Sequence, residues 1–295
     1  MAIPLVTTHV FRQHTDEVWY VAISHNGKHL ASASKDKTAI IWSLETWELL
    51  HVLSEHANFV SFVSWSPNDS MLLTCGQDNE VKLWNVQRVY GFQMAKALYQ
   101  GGQDKNTFLW SHGRSRCSPN DSGYIKTYKF LGTILYKWHG PRIVDLDKEG
   151  TRMVAISTEK KIHIYDLVSK IEETILEEDA HSHRYTYRMT EIHLWDIDQK
   201  LLVRKYHGQT QSKYVIRSCF GGIGQGLIVS GSEDSNIYVW HREHAALIEV
   251  LSGHNDIVNS VHWSPVNPYL FASAGDDHTI RIWEATDATE TKETP

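Results

Sequence analysis

An aspartate stands six residues ahead of a tryptophan at four well-matched places in this chain: Asp36 and Trp42 in "SKDKTAIIWS", Asp78 and Trp84 in "GQDNEVKLWN", Asp234 and Trp240 in "SEDSNIYVWH", and Asp277 and Trp283 in "GDDHTIRIWE". A weaker fifth pair joins Asp104 to Trp110. With 17 aspartates among 295 residues, fewer than one of the eleven tryptophans should have an aspartate at that distance by chance. A serine or threonine precedes each of the four aspartates by four residues: Ser32, Thr74, Ser230 and Ser273. Histidines keep the same frame, with His14 and His56 each 22 residues before their aspartate and His254 23 residues before; the third unit has Gln211 where a histidine is expected. An active-site acid is needed once, whereas a structural device recurs with its unit. Trp42 and Trp84 are 42 residues apart, and Trp240 and Trp283 are 43. A period of about 40 to 45 residues is that of one four-stranded propeller blade per unit.

Each unit reads as strands. "HLASAS" or "GLIVSGS" precedes the aspartate and "TAIIW" or "NIYVW" follows it, with Lys, Gly, Asn and Asp between them forming a tight turn. "SHNG" (24–27) and "SPND" (66–69) are turn clusters that end an earlier strand begun just after the histidine. These strands are apolar on both faces, as in a sheet packed between two other sheets. A tryptophan buried there removes about 150 to 250 Å² from water, an upper bound of roughly 4 to 6 kcal/mol, and its indole N–H still needs an acceptor. The residues resemble the WD-repeat family, and that resemblance implies the roles: a Ser or Thr hydroxyl takes the indole N–H, the histidine bonds the hydroxyl, and the aspartate bonds the histidine. The residue types match a hydrolase triad, but their repetition favours structure, and no catalytic residue is expected.

The fold class expected is therefore all-β, a WD-repeat β-propeller over residues 5–285 with a polar tail at 286–295. Trp84 and Trp240 are 156 residues apart, which divides into four steps of 39 or three of 52; four is nearer the period, giving seven blades, with six as the alternative. The middle is irregular. "EKKIHIYDL" (159–167) and "TEIHLWDID" (190–198) lie about a dozen residues too close for a full blade, and the spacing around Asp104 is also short, so complete blades are least secure over residues 86–200. Phe11, Leu53 and Leu251 each precede a histidine by three residues and mark outer strands. After Trp283 only "EATDATETKETP" remains, so "LVTTHVF" (5–11) is expected to complete the last blade and cover its edge.

Composition narrows function. The net charge of −6 gives no pull toward nucleic acid or anionic lipid. The longest unbroken apolar run, Val18 to Ile23, is too short to span a membrane, and "MAIPLVTTHV" lacks the features of a signal peptide. Cys75, Cys117 and Cys219 share no CxxC spacing, which suits a reducing compartment and a place in the cytoplasm or nucleus. "GGIGQG" (221–226) has the glycines of a phosphate loop but no following Lys-Ser/Thr and reads as a hairpin turn. Asp179, His181 and His183 are close in sequence, but no further ligand at metal spacing joins them and a solvated loop is the reading. No metal and no cofactor is expected.

A closer resemblance rests on "QHTDEVWYVAISHNGKHLASASKDKTAIIW" (13–42), "YVIRSCFGG" (214–222), "SGSEDSNIYVWHRE" (230–243) and "FASAGDDHTIRIW" (271–283), with "LGTILYKWHG" and "LVRKYHGQTQ" extending it. These stretches are similar to the WD-repeat subunits of the glucose-induced-degradation (GID), or CTLH, ubiquitin ligase complexes. The likeness implies a non-catalytic scaffold whose partners are other ligase subunits or protein substrates bound for proteasomal degradation. The alternative is a peptide-binding WD-repeat adaptor unconnected to ubiquitin. Members carry LisH and CTLH helical segments before the propeller, whereas the closing strand here begins near Met1. That departure and the shortened middle weigh against self-association and ligase incorporation, and fit a truncated or mis-spliced chain. Propellers usually bind partners on the face bearing the His and Asp turns. Five residues past each histidine position come Trp19, Ser61, Ile216 and Asn259, with Lys35, Lys213 and Arg217 adding charge. Trp19 is the expected anchor; packing between blades is its alternative.

Overall fold

A computed structural model of the chain describes residues 6–78, 80–86, 97–101, 106–111, 133–139, 141–146, 152–157, 162–166, 169, 171–176 and 191–285. Among them, strands associate into seven antiparallel sheets. Four sheets have four strands, two have three and one has two. The best-defined sheets follow the repeat. One runs Val18–Ile23, His29–Ser34, Ala39–Ser43 and Leu49–Leu53; the next runs Val60–Trp65, Met71–Gly76 and Val81–Asn85. Near the other end come Ser218–Gly221, Leu227–Ser230, Asn236–His241 and Leu247–Ser252, and then Val258–Trp263, Leu270–Gly275 and Ile280–Glu284.

This last sheet gains its fourth strand from Val6–Phe11, which pairs antiparallel with Ile280–Glu284 in a register that sets Phe11 opposite Ile280 and His9 opposite Ile282. The strand shifts register between Thr7 and His9, so Phe11 still turns inward, where it stacks on Trp42 at 4.5 Å. First and last strands of the described chain are thereby joined across one sheet, and the edge of Ile280–Glu284 is covered.

The core lies between sheets. Along Ala39–Ser43, Ile40 and Trp42 point into a cluster with Leu270, Ala272, Ile280 and Ile282 of the preceding sheet. Ala39 and Ile41 point the other way, toward Val60, Val63, Trp65, Leu72 and Trp84 of the next. A third cluster joins Leu227, Val229 and Leu251 to Trp263, Phe271 and Trp283. Period-two alternation therefore serves two buried faces, which explains why these strands read as unbroken apolar runs. Small residues at Ala31, Ala33 and Ala39 let neighbouring sheets approach.

In the middle, Ile162–Asp166 is the third strand of a four-stranded sheet with Pro141–Leu146, Arg152–Ser157 and Ile171–Leu176, whereas Glu191–Asp196 pairs with Leu201–His207 in a separate sheet. The two WD-like strand ends that are too close in sequence thus belong to different sheets. Trp110 lies in Asn106–Ser111, between Ala97–Gly101 and Thr133–His139; Asp104, Cys117, residues 177–184 and the tail at 286–295 fall outside the described residues.

Candidate interaction face

Three of the four repeat networks form closed chains of hydrogen bonds. In the first, Trp42 Nε1–H donates to Ser32 Oγ (3.1 Å), the Ser32 hydroxyl meets His14 Nε2 (2.7 Å), and His14 Nδ1–H donates to Asp36 Oδ2 (2.7 Å). In the second, Trp84 donates to Thr74 Oγ1 (2.9 Å), which meets His56 Nε2 (2.7 Å), and His56 Nδ1 lies 2.9 Å from Asp78 Oδ2. The last repeats this through Trp283 to Ser273 (2.8 Å), Ser273 to His254 (2.7 Å) and His254 to Asp277 (2.9 Å). A carboxylate only accepts, so the ring proton sits on Nδ1 and the hydroxyl must donate to Nε2 while accepting from the indole. Every donor then has an acceptor. The aspartate also takes two backbone N–H groups: Thr15 and Thr38 donate to Asp36, and Asn255 and Thr279 to Asp277. It thereby closes the turn in which Lys37 and His278 adopt positive φ and ties that turn to the residue after the histidine.

Charge follows from these contacts. Burial alone would raise the Asp36 and Asp277 carboxyls, but hydrogen bonds from the histidines and threonines outweigh it and hold both far below the usual carboxylate range. Burial pushes the His56 and His254 imidazoles down against the pull of Asp78 and Asp277. At His56 and His254 the network is a neutral imidazole on a carboxylate, and the His14, Ser32, His56, Thr74, His254 and Ser273 side chains are all buried. It has the residue types of a catalytic triad, but the hydroxyl is shut in and already engaged by an indole.

The fourth network departs from the sequence expectation. Ser230 gives its hydroxyl to Gly231 O (3.0 Å), Trp240 Nε1–H goes to His207 O (2.9 Å), and Asp234 Oδ2 accepts the Tyr238 hydroxyl (2.6 Å). Ser230, Asp234 and Trp240 do not bond one another. Nor does Gln211 occupy the histidine place. Gln209 does: it is 2% exposed, it follows Gly208 as His254 follows Gly253, and Thr210 N–H after it bonds the opposing turn at Ser232 Oγ, as Asn255 bonds Asp277. The loop from Gln209 to the strand at Ser218 is longer than in the other repeats, so counting back from Asp234 by the usual spacing stops two residues short. Both amide atoms of Gln209 are buried without a partner.

The turns beside the histidines and aspartates make one face. Trp19 is half-buried, its ring edge-on to Phe59 of the next sheet (5.6 Å) and its Nε1–H bonded to Glu17 Oε2 (2.8 Å). Lys35 Nζ is drawn to Glu17 (2.6 Å) and Asp16 (3.6 Å), which raises its pKa. Ser61 donates to Cys75 O (3.3 Å). Arg217 lies over the Tyr20 and Phe62 rings at 4.8 and 5.8 Å. Asn259 must be corrected as a contact residue: it is 6% exposed, and its amide donates to Val18 O (3.0 Å) and Asp276 Oδ1 (2.6 Å), joining two sheets. Burial, only partly offset by that bond, pushes Asp276 up to about 6.

Sequence counting also missed Glu233. Its carboxylate accepts N–H groups from Ser212, Lys213 and Tyr214 at 2.7, 2.8 and 3.0 Å, and these with the Ser212 hydroxyl overcome burial to bring its pKa down to about 2. The loop is pinned so that Tyr214 and Val215 stand more than half exposed next to Ile216 and Arg217. The only sequence signal is an acidic residue one place before the repeat aspartate.

Two kinds of comparison bear on kinship. The family model "WD domain, G-beta repeat" matches residues 5–43, 47–85, 201–241 and 245–284, together more than half of the chain. The chain is 40% identical to "GID complex subunit 7" of Schizosaccharomyces pombe over 97% of its own length and 60% of the relative's. It is 40% identical to "WD repeat-containing protein WDS homolog" of Arabidopsis thaliana, covering 95% of this chain and 58% of that protein, and 36% identical to the same plant's "WD repeat-containing protein 26 homolog", covering 95% and 51%. The chain thus spans between half and three fifths of the length of these relatives. The four matched segments coincide with the four Asp-to-Trp units whose sheets are described above, and the chain belongs to the WD40-repeat family.

Proposed function

We propose that this chain is a non-catalytic scaffold of a GID/CTLH-type ubiquitin ligase, acting in assembly or in recruiting substrates for proteasomal degradation. The observation that carries this reading is the 40% identity to a GID complex subunit along nearly the whole of this chain. In three of the repeats the His, Ser or Thr, and Asp side chains are spent on holding a tryptophan, which supports the non-catalytic part. The partners are other ligase subunits or protein substrates rather than nucleic acid or membrane, and the site of action is the cytoplasm or nucleus. The face that receives them carries Trp19, Lys35, Ser61, Lys213, Ile216 and Arg217, joined now by Tyr214 and Val215.

Affinity purification with mass spectrometry tests the assignment: subunits of the ligase should co-purify, and their absence would leave a WD-repeat adaptor unconnected to ubiquitin. Tyr214→Ala tests the face. Its side chain is exposed, so the melt should stay within a degree or two while capture of those subunits weakens by about 2 kcal/mol, the scale of an aromatic anchor. Unchanged capture by a folded variant would place the partner elsewhere.

A further inference from the structure

Arg281 is a cation without an anion. It pairs with Ser273 across the sheet of residues 258–284 as Lys82 pairs with Thr74 across the sheet of residues 60–85, so the two basic residues hold the same place in their repeats. Lys82 is matched from nearby: its Nζ lies 2.8 Å from Glu80 Oε2. In the last sheet the place of Glu80, two residues after the repeat aspartate, is taken by Thr279, whose hydroxyl is spent on Asp277 (2.7 Å). The repeat that Arg281 belongs to therefore gives it no carboxylate of its own.

Asp277 does not fill the gap. It is the one acid among the described residues that acts on Arg281, but its two oxygens already receive His254 Nδ1–H (2.9 Å), the Asn255 and Thr279 backbone N–H groups (3.0 and 3.1 Å) and the Thr279 hydroxyl, which uses the lone pairs a carboxylate has. Arg281 makes no hydrogen bond or ion pair among the described residues. It is half-buried, with Nε enclosed and without a partner while the terminal nitrogens are not enclosed. Burial lowers its pKa, and the charge of Arg12 lowers it further against the pull of Asp277.

Arg12 stands beside Arg281 by register. Val10 on the edge strand is opposite Arg281, Phe11 turns the other way to stack on Trp42, and Arg12 comes next on the side of Val10. Arg12 is exposed and also makes no bond among the described residues. With His254 neutral, two guanidiniums against the one carboxylate of Asp277 leave a single uncompensated positive charge, which a monoanion balances. The setting is an open rim rather than an enclosed pocket, and the adjoining strand Val6–Phe11 is the outermost of its sheet, with backbone groups on its free side that suit an extended peptide better than a small anion. We propose that the rim at Arg12 and Arg281 receives a carboxylate from an acidic side chain of a polypeptide partner, which bonds the terminal nitrogens of Arg281 and does for it what Glu80 does for Lys82.

The site lies at the edge of the face assigned above, but its test uses short peptides and does not depend on the ligase reading. N-acetyl-Gly-Glu-Gly-amide, its glutamine counterpart and its phosphoserine counterpart are titrated at fixed ionic strength into the isotope-labelled full chain. The readout is the Arg281 Nε–H signal in NMR, sheltered from exchange by its burial and assigned by its loss in Arg281→Lys. The glutamyl peptide should move this signal saturably, and the glutamine peptide should bind at least about tenfold more weakly, the scale of one charge-assisted bond. Arg12→Gln, an exposed change, should weaken the glutamyl peptide by about fivefold or more at an unchanged melting temperature. Thr279→Glu, which restores the pattern of the second repeat, should fill the site from within and abolish the response. An Arg281 signal that stays fixed to the solubility limit, equal binding of the glutamine peptide, or binding untouched by Arg12→Gln would each overturn the proposal. A phosphoseryl peptide that binds more than about tenfold tighter than the glutamyl one would overturn the carboxylate in favour of a phosphate. Should Thr279→Glu fail to fold, the other outcomes decide the matter alone.

Discussion

The sheet of residues 258–284 and the sheet of residues 218–252 descend from the same repeat, carry the same Ser, Asp and Trp at the same spacing, and solve the tryptophan problem differently. In the first, the indole N–H passes through a hydroxyl and an imidazole to a carboxylate. In the second, a backbone carbonyl, His207 O, takes the indole directly, and the aspartate turns to Tyr238. Trp283 and Trp240 are both at most 2% exposed. What is shared is therefore a buried tryptophan with a satisfied N–H; the tetrad is one way of supplying it. The difference is the histidine. Without an imidazole to bridge them, Ser230 and Asp234 have no common partner, and each finds a local one.

The largest consequence concerns the aspartates. Asp277→Ala or Asp36→Ala strands a buried imidazole and opens a turn, which should lower stability by about 2 to 4 kcal/mol. Asp234→Ala loses a turn N–H and one part-buried tyrosine contact and should cost about 1 kcal/mol or less. Denaturant midpoints of the three variants measure the contrast directly. Equal losses at Asp234 and Asp277 would show that the turn, common to both, carries the energy and the histidine network does not.

Acid sharpens the same comparison. Asp36 and Asp277 have depressed folded pKa values against an ordinary 3.8, so their stabilisation is complete above that value and lost as pH falls below it. The buried histidines act at higher pH. Burial brings His262 from 6.5 to about 4, so the unfolded chain binds the extra proton and stability falls as pH drops through that window, by roughly 2 to 3 kcal/mol. Burial lowers His254 as well, with the same sign. Asp276 opposes them: raised from 3.8 to about 6, it favours the folded state as pH falls below 6. All these groups lie in or beside the sheet of 258–284, whereas Gln209 does not titrate. The His262 loss and the Asp276 gain nearly cancel at pH 4.5, so the difference between the sheets rests mainly on His254, and amide exchange at pH 4.5 against 7.5 should deprotect Leu270–Gly275 slightly more than Leu227–Ser230. His262→Asn, which keeps an acceptor for Ile23 N–H, should reduce the loss. Uniform deprotection of both sheets, unaltered by His262→Asn, would contradict the assignment.

The repeat was legible because it is made of residue types with one job each at fixed spacing: Trp42, Asp36 and Ser32 can be counted, and the clasp at Val6–Phe11 follows from a missing strand. Counting fails where a loop changes length. Gln211 was two positions from the true place because the loop before Ser218 is extended, and spacing from Asp234 alone cannot show where extra residues enter. It fails again where a side chain's role depends on direction. Asn259 sits at a position expected to face a partner, but the shift of register between Val258 and Ser260 accompanies a side chain turned into the seam with Val18. Asp69 shows a third limit. It stands at φ 54 where the previous repeat has Gly27 at φ 72, so it reads as an ordinary turn residue. Only the fold shows its carboxylate accepting His25 and Asn26 N–H at 2.9 and 2.8 Å, joining adjacent sheets at the ends away from the tetrads.

The smallest effect is also the most specific, because it concerns the one residue that separates the two sheets. Gln209 fills the histidine's place but buries an amide whose oxygen and nitrogen have no partner. Methionine has a similar length and no comparable desolvation penalty, so Gln209→Met should stabilise the chain by about 1 kcal/mol. Gln209→His alone should gain nothing, since Asp234 is held by the Tyr238 hydroxyl and Ser230 by Gly231 O. Removing that hydroxyl frees the carboxylate: in a double-mutant cycle of Gln209→His with Tyr238→Phe, the pair should be more stable than the sum of the singles by about 1 kcal/mol. A cycle that closes at zero would mean that the altered loop, and not the missing imidazole, keeps Ser230, Asp234 and Trp240 apart.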